Sequence, residues 1–198
     1  MIRLRYVFLF LLLSLSISMH AQYNRDLYFE DFSRFVPAAM DMALPLAGVK
    51  SENPFFDRGM ALGMGFAAQC VMVQGLKMLV SEERPDGSDT NSFPSGHTAT
   101  AFLGAECVRH EYGWGWGAGA YAAATSVAVM RVCHNRHYWW DTVAGAGIGI
   151  LSANIGYWLL APAKNILGIH TKSDVRLTMN PVVDPYSGTL FTSLSMMF

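Results

Sequence analysis

Lys77 precedes Arg84-Pro85, Pro94-Ser95-Gly96-His97 follows, and Arg131, His137 and Asp141 complete the set. These residues supply three cations, a Ser-Gly turn and two histidines, one with a carboxylate four positions later. Together they are the parts needed to bind and attack a tetrahedral oxyanion. A phosphate ester repels nucleophiles because its oxygens are charged. Catalysis therefore needs cations and oriented N–H donors that hold this charge best in the transition state. Arg84 and Arg131 offer planar forks of donors, and Lys77 a point charge. Ser95-Gly96 at a helix start presents backbone N–H groups to an anion, and Gly96 lets the backbone approach closely.

The attacking group is expected to be a side chain oriented by a third group. His137 and Asp141 are four apart and share one side of a helical turn. Asp141 then accepts from one ring nitrogen while the other points its lone pair at phosphorus, with His in the role of attacker. His97 protonates the leaving oxygen and later activates water. No step requires a metal or other cofactor. Each part alone has a plainer explanation. A Lys in an apolar helix snorkels, Arg-Pro stops a helix, and Ser-Gly-His is a common cap. The joint occurrence at helix ends, where one pocket can gather all of them, carries the reading.

The elements that must position these groups read as helices. Pro37 and Pro45 make any helix within 35–49 short or kinked. A long helix is expected over 57–82, then a polar loop from Pro85-Asp86-Gly87 to Pro94. Further helices are expected over 97–112, 118–132 and 139–160, with a turn at 113–117 and a stop at Pro162. Residues 142–161 carry no charge and are long enough to span a bilayer. Small residues in these helices suit close packing in a membrane, and Trp114, Trp116, Tyr138, Trp139, Trp140 and Tyr157 sit near helix ends, where an aromatic belt lies. A tightly packed soluble bundle is the alternative. The tail alternates like two strands around Asp184-Pro185-Tyr186-Ser187-Gly188. The expected architecture is an all-α, compact, membrane-embedded helical bundle with a short C-terminal β-hairpin.

The 198 residues suffice for one domain, with 52% hydrophobic and only 15% charged residues. A formal net charge of −1 disfavours nucleic-acid binding. A basic start, an apolar run over 6–17 and Ala21 before the cut resemble a secretory signal, although Met19 is large for its position. An uncleaved anchor is the alternative. Residues 1–21 are thus read as signal or anchor, 22–170 as the helical catalytic domain and 171–198 as the hairpin tail. Cys70, Cys107 and Cys133 are read as buried free thiols.

The three clusters resemble the signature motifs of the type-2 phosphatidic acid phosphatase superfamily, closely over 77–141 and loosely beyond. The resemblance implies an all-α bundle and phosphate binding by Lys77, Arg84, Ser95, Gly96 and Arg131. It also implies His97 as acid, His137 as nucleophile and Asp141 as its partner. In membrane members of the family the site faces the outer side of the inner membrane. The family usually has Ser where this chain has Met130, which removes one hydroxyl and no charge. His134 is read as a loop residue or a third pocket histidine.

The implied function is hydrolysis of a lipid phosphate or diphosphate in a bacterial envelope. Substrates of that kind include undecaprenyl diphosphate, phosphatidylglycerol phosphate, phosphatidic acid and a lipid A phosphate. The alternatives are a soluble periplasmic acid phosphatase and an envelope structural protein with a vestigial pocket. A vanadate-dependent haloperoxidase fits poorly, because those chains are much longer. Oligomeric state is not encoded in any motif.

Overall fold

The computed structural model describes Phe29 and residues 31–169 with their side chains, and the backbone of 176–183 and 190–197. The expected leader over 1–21 and the turn at 184–188 lie outside the described residues. In order come α1 (Val36–Ala43), a 3₁₀ turn (Leu44–Ala47), α2 (Phe55–Leu79), α3 (Gly96–Cys133), α4 (Trp139–Leu167), β1 (Arg176–Val183) and β2 (Leu190–Met197). Pro37 and Pro45 lie in the first turns of α1 and the 3₁₀ turn, where a missing N–H costs nothing. The two strands pair antiparallel, from Arg176 with Met197 to Val183 with Leu190.

Three boundaries differ from expectation, and the first is the end of α2, which stops at Leu79 and not at 82 because Val80 is already extended. The turn expected over 113–117 contracts to a single residue. Gly113, at φ 72° and ψ −174°, breaks α3 into helical segments 96–112 and 114–133. Only a residue without Cβ takes that conformation cheaply, so the break falls there and not across the tryptophans. Pro162 does not end α4, which continues to Leu167. Proline removes one helical hydrogen bond, but Lys164 Nζ donates to Asp57 Oδ2 at 2.7 Å and ties the last turn to the start of α2. The stop is Gly168, in the left-handed conformation suited to a helix end.

α4 packs against both α2 and α3, and α1 lies on α3. The buried core is built of small residues, such as Ala61, Ala99, Ala101, Ala120, Ala124 and Ala153. Gly145 shows how close the helices come, since a Cβ there would meet the Ser95 carbonyl oxygen at 2.4 Å. α4 thus seats directly against the turn that starts α3. Large apolar side chains remain outside, among them Val71, Met78 and Leu79 of α2 and Leu151, Trp158 and Ile166 of α4.

Both α2 and α4 are long and apolar enough to cross a membrane, yet only 22% and 28% of their most apolar stretches are buried. The core helix of a soluble protein would hide that surface. Of the three cysteines, all free, only Cys107 is buried. Cys70 and Cys133 are exposed, against expectation, because they lie on outward faces of their helices.

Buried polar groups tie the helices together as well. Arg58 donates to the Asp41 carbonyl oxygen at 2.7 Å and to the Tyr112 hydroxyl. Glu111 accepts from the Asn53 backbone N–H at 2.8 Å and the Tyr157 hydroxyl at 2.8 Å. On α2 this network is separated from Lys77 by roughly 28 Å of helix, from the rise per residue.

Candidate functional site

The site gathers at the other end of the bundle, where α2 ends, α3 both begins and ends, and α4 begins. The turn from α3 to α4 sets the spacing of the third cluster. Asn135 takes φ 55° just past the helix end. The Arg136 N–H then donates to the Arg131 carbonyl at 3.0 Å, and the Asn135 N–H to Val132 at 3.0 Å. This is a Schellman closure with Asn in the left-handed position. It reverses the chain within a few residues and brings His137 back beside Arg131, whose carbonyl also accepts the His137 N–H at 3.3 Å.

Asp141 sits in the first turn of α4 and is fully buried. Its Oδ2 accepts the Tyr138 N–H at 2.9 Å and the Ser92 hydroxyl at 2.5 Å. His137 Nδ1 lies 3.5 Å from the same oxygen, an ion-pair distance without a formed hydrogen bond. Asp141 therefore anchors three things at once, the helix start, the preceding loop and the histidine ring. Ser92 was not anticipated.

The loop between α2 and α3 folds around Asp89. Its Oδ1 accepts from Arg84 Nε at 2.8 Å and from the Asn91 N–H at 2.8 Å. Lys77 Nζ donates to the Asn91 carbonyl at 2.5 Å, and Trp140 Nε1 to Glu82 at 2.9 Å. The loop is thereby fastened to α2 and to α4, which fixes Arg84 over the start of α3.

One cavity of 590 Å³ is lined by Lys77, Arg84, Gly96, His97, Arg131 and His137. Six of the eight residues expected from sequence thus face a single space. Asp141 stands behind His137. Ser95 does not line the cavity. Its N–H donates to the Asp141 carbonyl at 3.0 Å, and its hydroxyl pairs with Thr98 Oγ1 at 3.0 Å. Ser95 holds the turn to α4, and the open donors of that helix start are the first-turn N–H groups from Gly96 onward, by helix geometry. Met130 packs against the core, and His134 is exposed outside the cavity.

Asp31, Arg34 and Arg136 also line the cavity. His97 Nε2 lies 2.7 Å from Asp31 Oδ1 and 3.3 Å from Arg34 Nη1. Arg136 pairs with Asp86 at 2.9 Å. No spacing links Asp31 to His97 along the chain, so sequence reading missed it. Arg136, one residue before His137, belongs to none of the three clusters, so sequence reading missed its place here as well.

Arg34, Lys77, Arg84, Arg131 and Arg136 face the cavity against the carboxylates of Asp31 and Asp89, an excess suited to a multiply charged anion. Burial and then the Arg131 guanidinium push His97 down to about 4, against the pull of Asp31. Burial, then Arg131 and Arg84, push His137 in the same direction. A neutral His137 keeps the lone pair that a nucleophile needs. A bound phosphate would offset the cations and return protons to the pocket.

Residues 58–164 match the PAP2 superfamily model. The chain is 33% identical over 134 residues to the lipid A 1-phosphatase of Porphyromonas gingivalis, an alignment that covers 66% of this chain and 30% of that protein. The chain thus spans about 30% of the length of this curated relative. The fold is similar to the crystal structure of Aquifex aeolicus LpxE, with a TM-score of 0.51 and 22% identity, covering 73% of this chain and 92% of that one. With a family match across more than half of its length and the motif residues gathered on one cavity, the chain belongs to the PAP2 superfamily, that of the type-2 phosphatidic acid phosphatases.

Proposed function

We propose that this protein is a phosphatase that hydrolyses a lipid phosphate or diphosphate in a bacterial envelope, through a phospho-histidine on His137. The observation that carries the reading is the convergence of both histidines and five cations on one 590 Å³ cavity. The cations and the N–H groups at the start of α3 hold the phosphoryl oxygens. Asp141, behind the ring, favours the His137 tautomer with hydrogen on Nδ1, which leaves Nε2 free to attack phosphorus. The P–O bond to the leaving group breaks as His97 gives its proton to that oxygen. Water then attacks phosphorus as the P–N bond breaks, His97 takes the water's proton, and phosphate and neutral His137 are released. The cations do the work a metal would do, so turnover needs none.

The apolar outer faces of α2 and α4 support a lipid substrate presented at a membrane. Among the candidates, a lipid A phosphate comes first, because the curated relative is a lipid A 1-phosphatase. Undecaprenyl diphosphate, phosphatidylglycerol phosphate and phosphatidic acid share the same headgroup chemistry. We assign the site to the periplasmic face, the side on which membrane members of the family carry theirs.

The test is phosphate release by membrane fractions holding the wild type or His137→Ala, offered a lipid phosphate and p-nitrophenyl phosphate side by side. Release from the lipid by the wild type only, in the pellet, is the expected result. Equal release from both substrates by freely soluble enzyme would replace this reading with a periplasmic acid phosphatase. Undiminished release by His137→Ala would remove the cavity as the catalytic site.

A further inference from the structure

His97 shares its ring nitrogen with two residues from the segment that precedes α1. Asp31 Oδ1 lies 2.7 Å from Nε2, and Arg34 Nη1 lies 3.3 Å from the same atom. One nitrogen cannot donate to the carboxylate and accept from the guanidinium together. The shorter contact, to a carboxylate, requires the hydrogen to sit on Nε2. Arg34 is then a cation standing beside the pair. The charged groups facing His97 are Asp31 and Arg34 from this segment and Arg131 from the end of α3. Burial and two guanidinium groups act to remove its proton, and among these groups Asp31 alone acts to keep it.

A general acid has to carry a proton when the leaving oxygen departs. We propose that Asp31 is a positioning residue that favours the protonated form of His97 once a bound phosphate offsets the cations, and orients it for the first step, with Nε2 committed to the carboxylate and the other ring nitrogen left for the leaving oxygen. The imidazolium gives one proton to that oxygen as the P–O bond breaks. It becomes neutral with its Nε2 hydrogen still held by Asp31, and it regains a proton from the attacking water. This inference rests on the role given to His97 above.

Asp31 is 61% exposed, so replacing it leaves the packed core intact. The test compares Asp31→Asn, Asp31→Glu and His97→Ala in the full chain, with short-chain phosphatidic acid and p-nitrophenyl phosphate as substrates. The alkoxide of the lipid needs the acid, and the nitrophenolate needs it far less. Asp31→Asn is expected to lower kcat on the lipid by about tenfold or more, within the range general acid catalysis contributes, with a much smaller loss on p-nitrophenyl phosphate. The alkaline limb of its pH profile moves to lower pH, because the proton on His97 is held less firmly. Asp31→Glu restores much of the loss. Equal losses on both substrates, or an unmoved alkaline limb, overturn the proposal while His97→Ala still discriminates between substrates and keeps its own role. If His97→Ala fails to discriminate, the acid itself is misassigned, and the role of Asp31 falls with it.

Discussion

A single carboxylate oxygen, Asp141 Oδ2, joins the loop, the helix start and the His137 ring. Removing its buried donor with Ser92→Ala leaves the carboxylate short of a partner, at a cost of about 1–3 kcal/mol. Thermal unfolding is expected to report that loss, and kcat to fall less than in His137→Ala. The histidines give a second residue-scale prediction. Both are held below their ordinary value of 6.5 by burial and the neighbouring guanidinium groups. The unfolded chain therefore binds more protons as pH falls from about 6.5, and stability present above that pH is lost progressively toward about 4. Unfolding temperatures measured across this window are expected to drop more steeply for the wild type than for His97→Gln. Lys77, Arg84, Gly96, His97, Arg131 and His137 were legible because short spacings within or between neighbouring elements encode their convergence. Asp31, Arg34 and Ser92 were not, because each meets its partner across about fifty residues or more of chain, where no local pattern records the contact.

At the scale of elements, the site depends on how tightly α4 seats against the start of α3. A Cβ at position 145 would meet the Ser95 carbonyl at 2.4 Å, a contact with backbone that cannot rotate away. Gly145→Ala is expected to cost about 1–3 kcal/mol through overpacking. It should also shift the turn bearing Gly96 and His97, so that kcat falls even where the protein remains folded. Assay of the purified variant beside its unfolding curve checks both. The helices themselves were legible from apolar runs and breakers. Their ends were less so. Pro162 looked like a stop, yet the Lys164–Asp57 pair carries the helix past it, and that pairing spans most of the chain. Asn135, by contrast, was a readable signal for the left-handed closure that returns His137 to Arg131, and it went unused because Asn is also common in ordinary loops.

Taken whole, the molecule turns apolar faces outward along α2 and α4 and collects positive charge at one end. This arrangement suits a substrate with an apolar body and an anionic head. Extraction from membranes is expected to require detergent. Vanadate, which mimics the trigonal-bipyramidal phosphoryl state, is expected to inhibit turnover, while a chelator leaves it unchanged. Low charge and long apolar segments made the bundle legible. The substrate was not, because the contacts that would select it arise from helix faces whose neighbours only the fold defines.

The most direct test of the central claim is to quench the enzyme during turnover of a ³²P-labelled lipid phosphate and examine the protein for label that survives base and is lost in acid. The account predicts such label on His137 in the wild type and none in His137→Ala. Turnover without any acid-labile label on the wild type, or equal label on the variant, would contradict it.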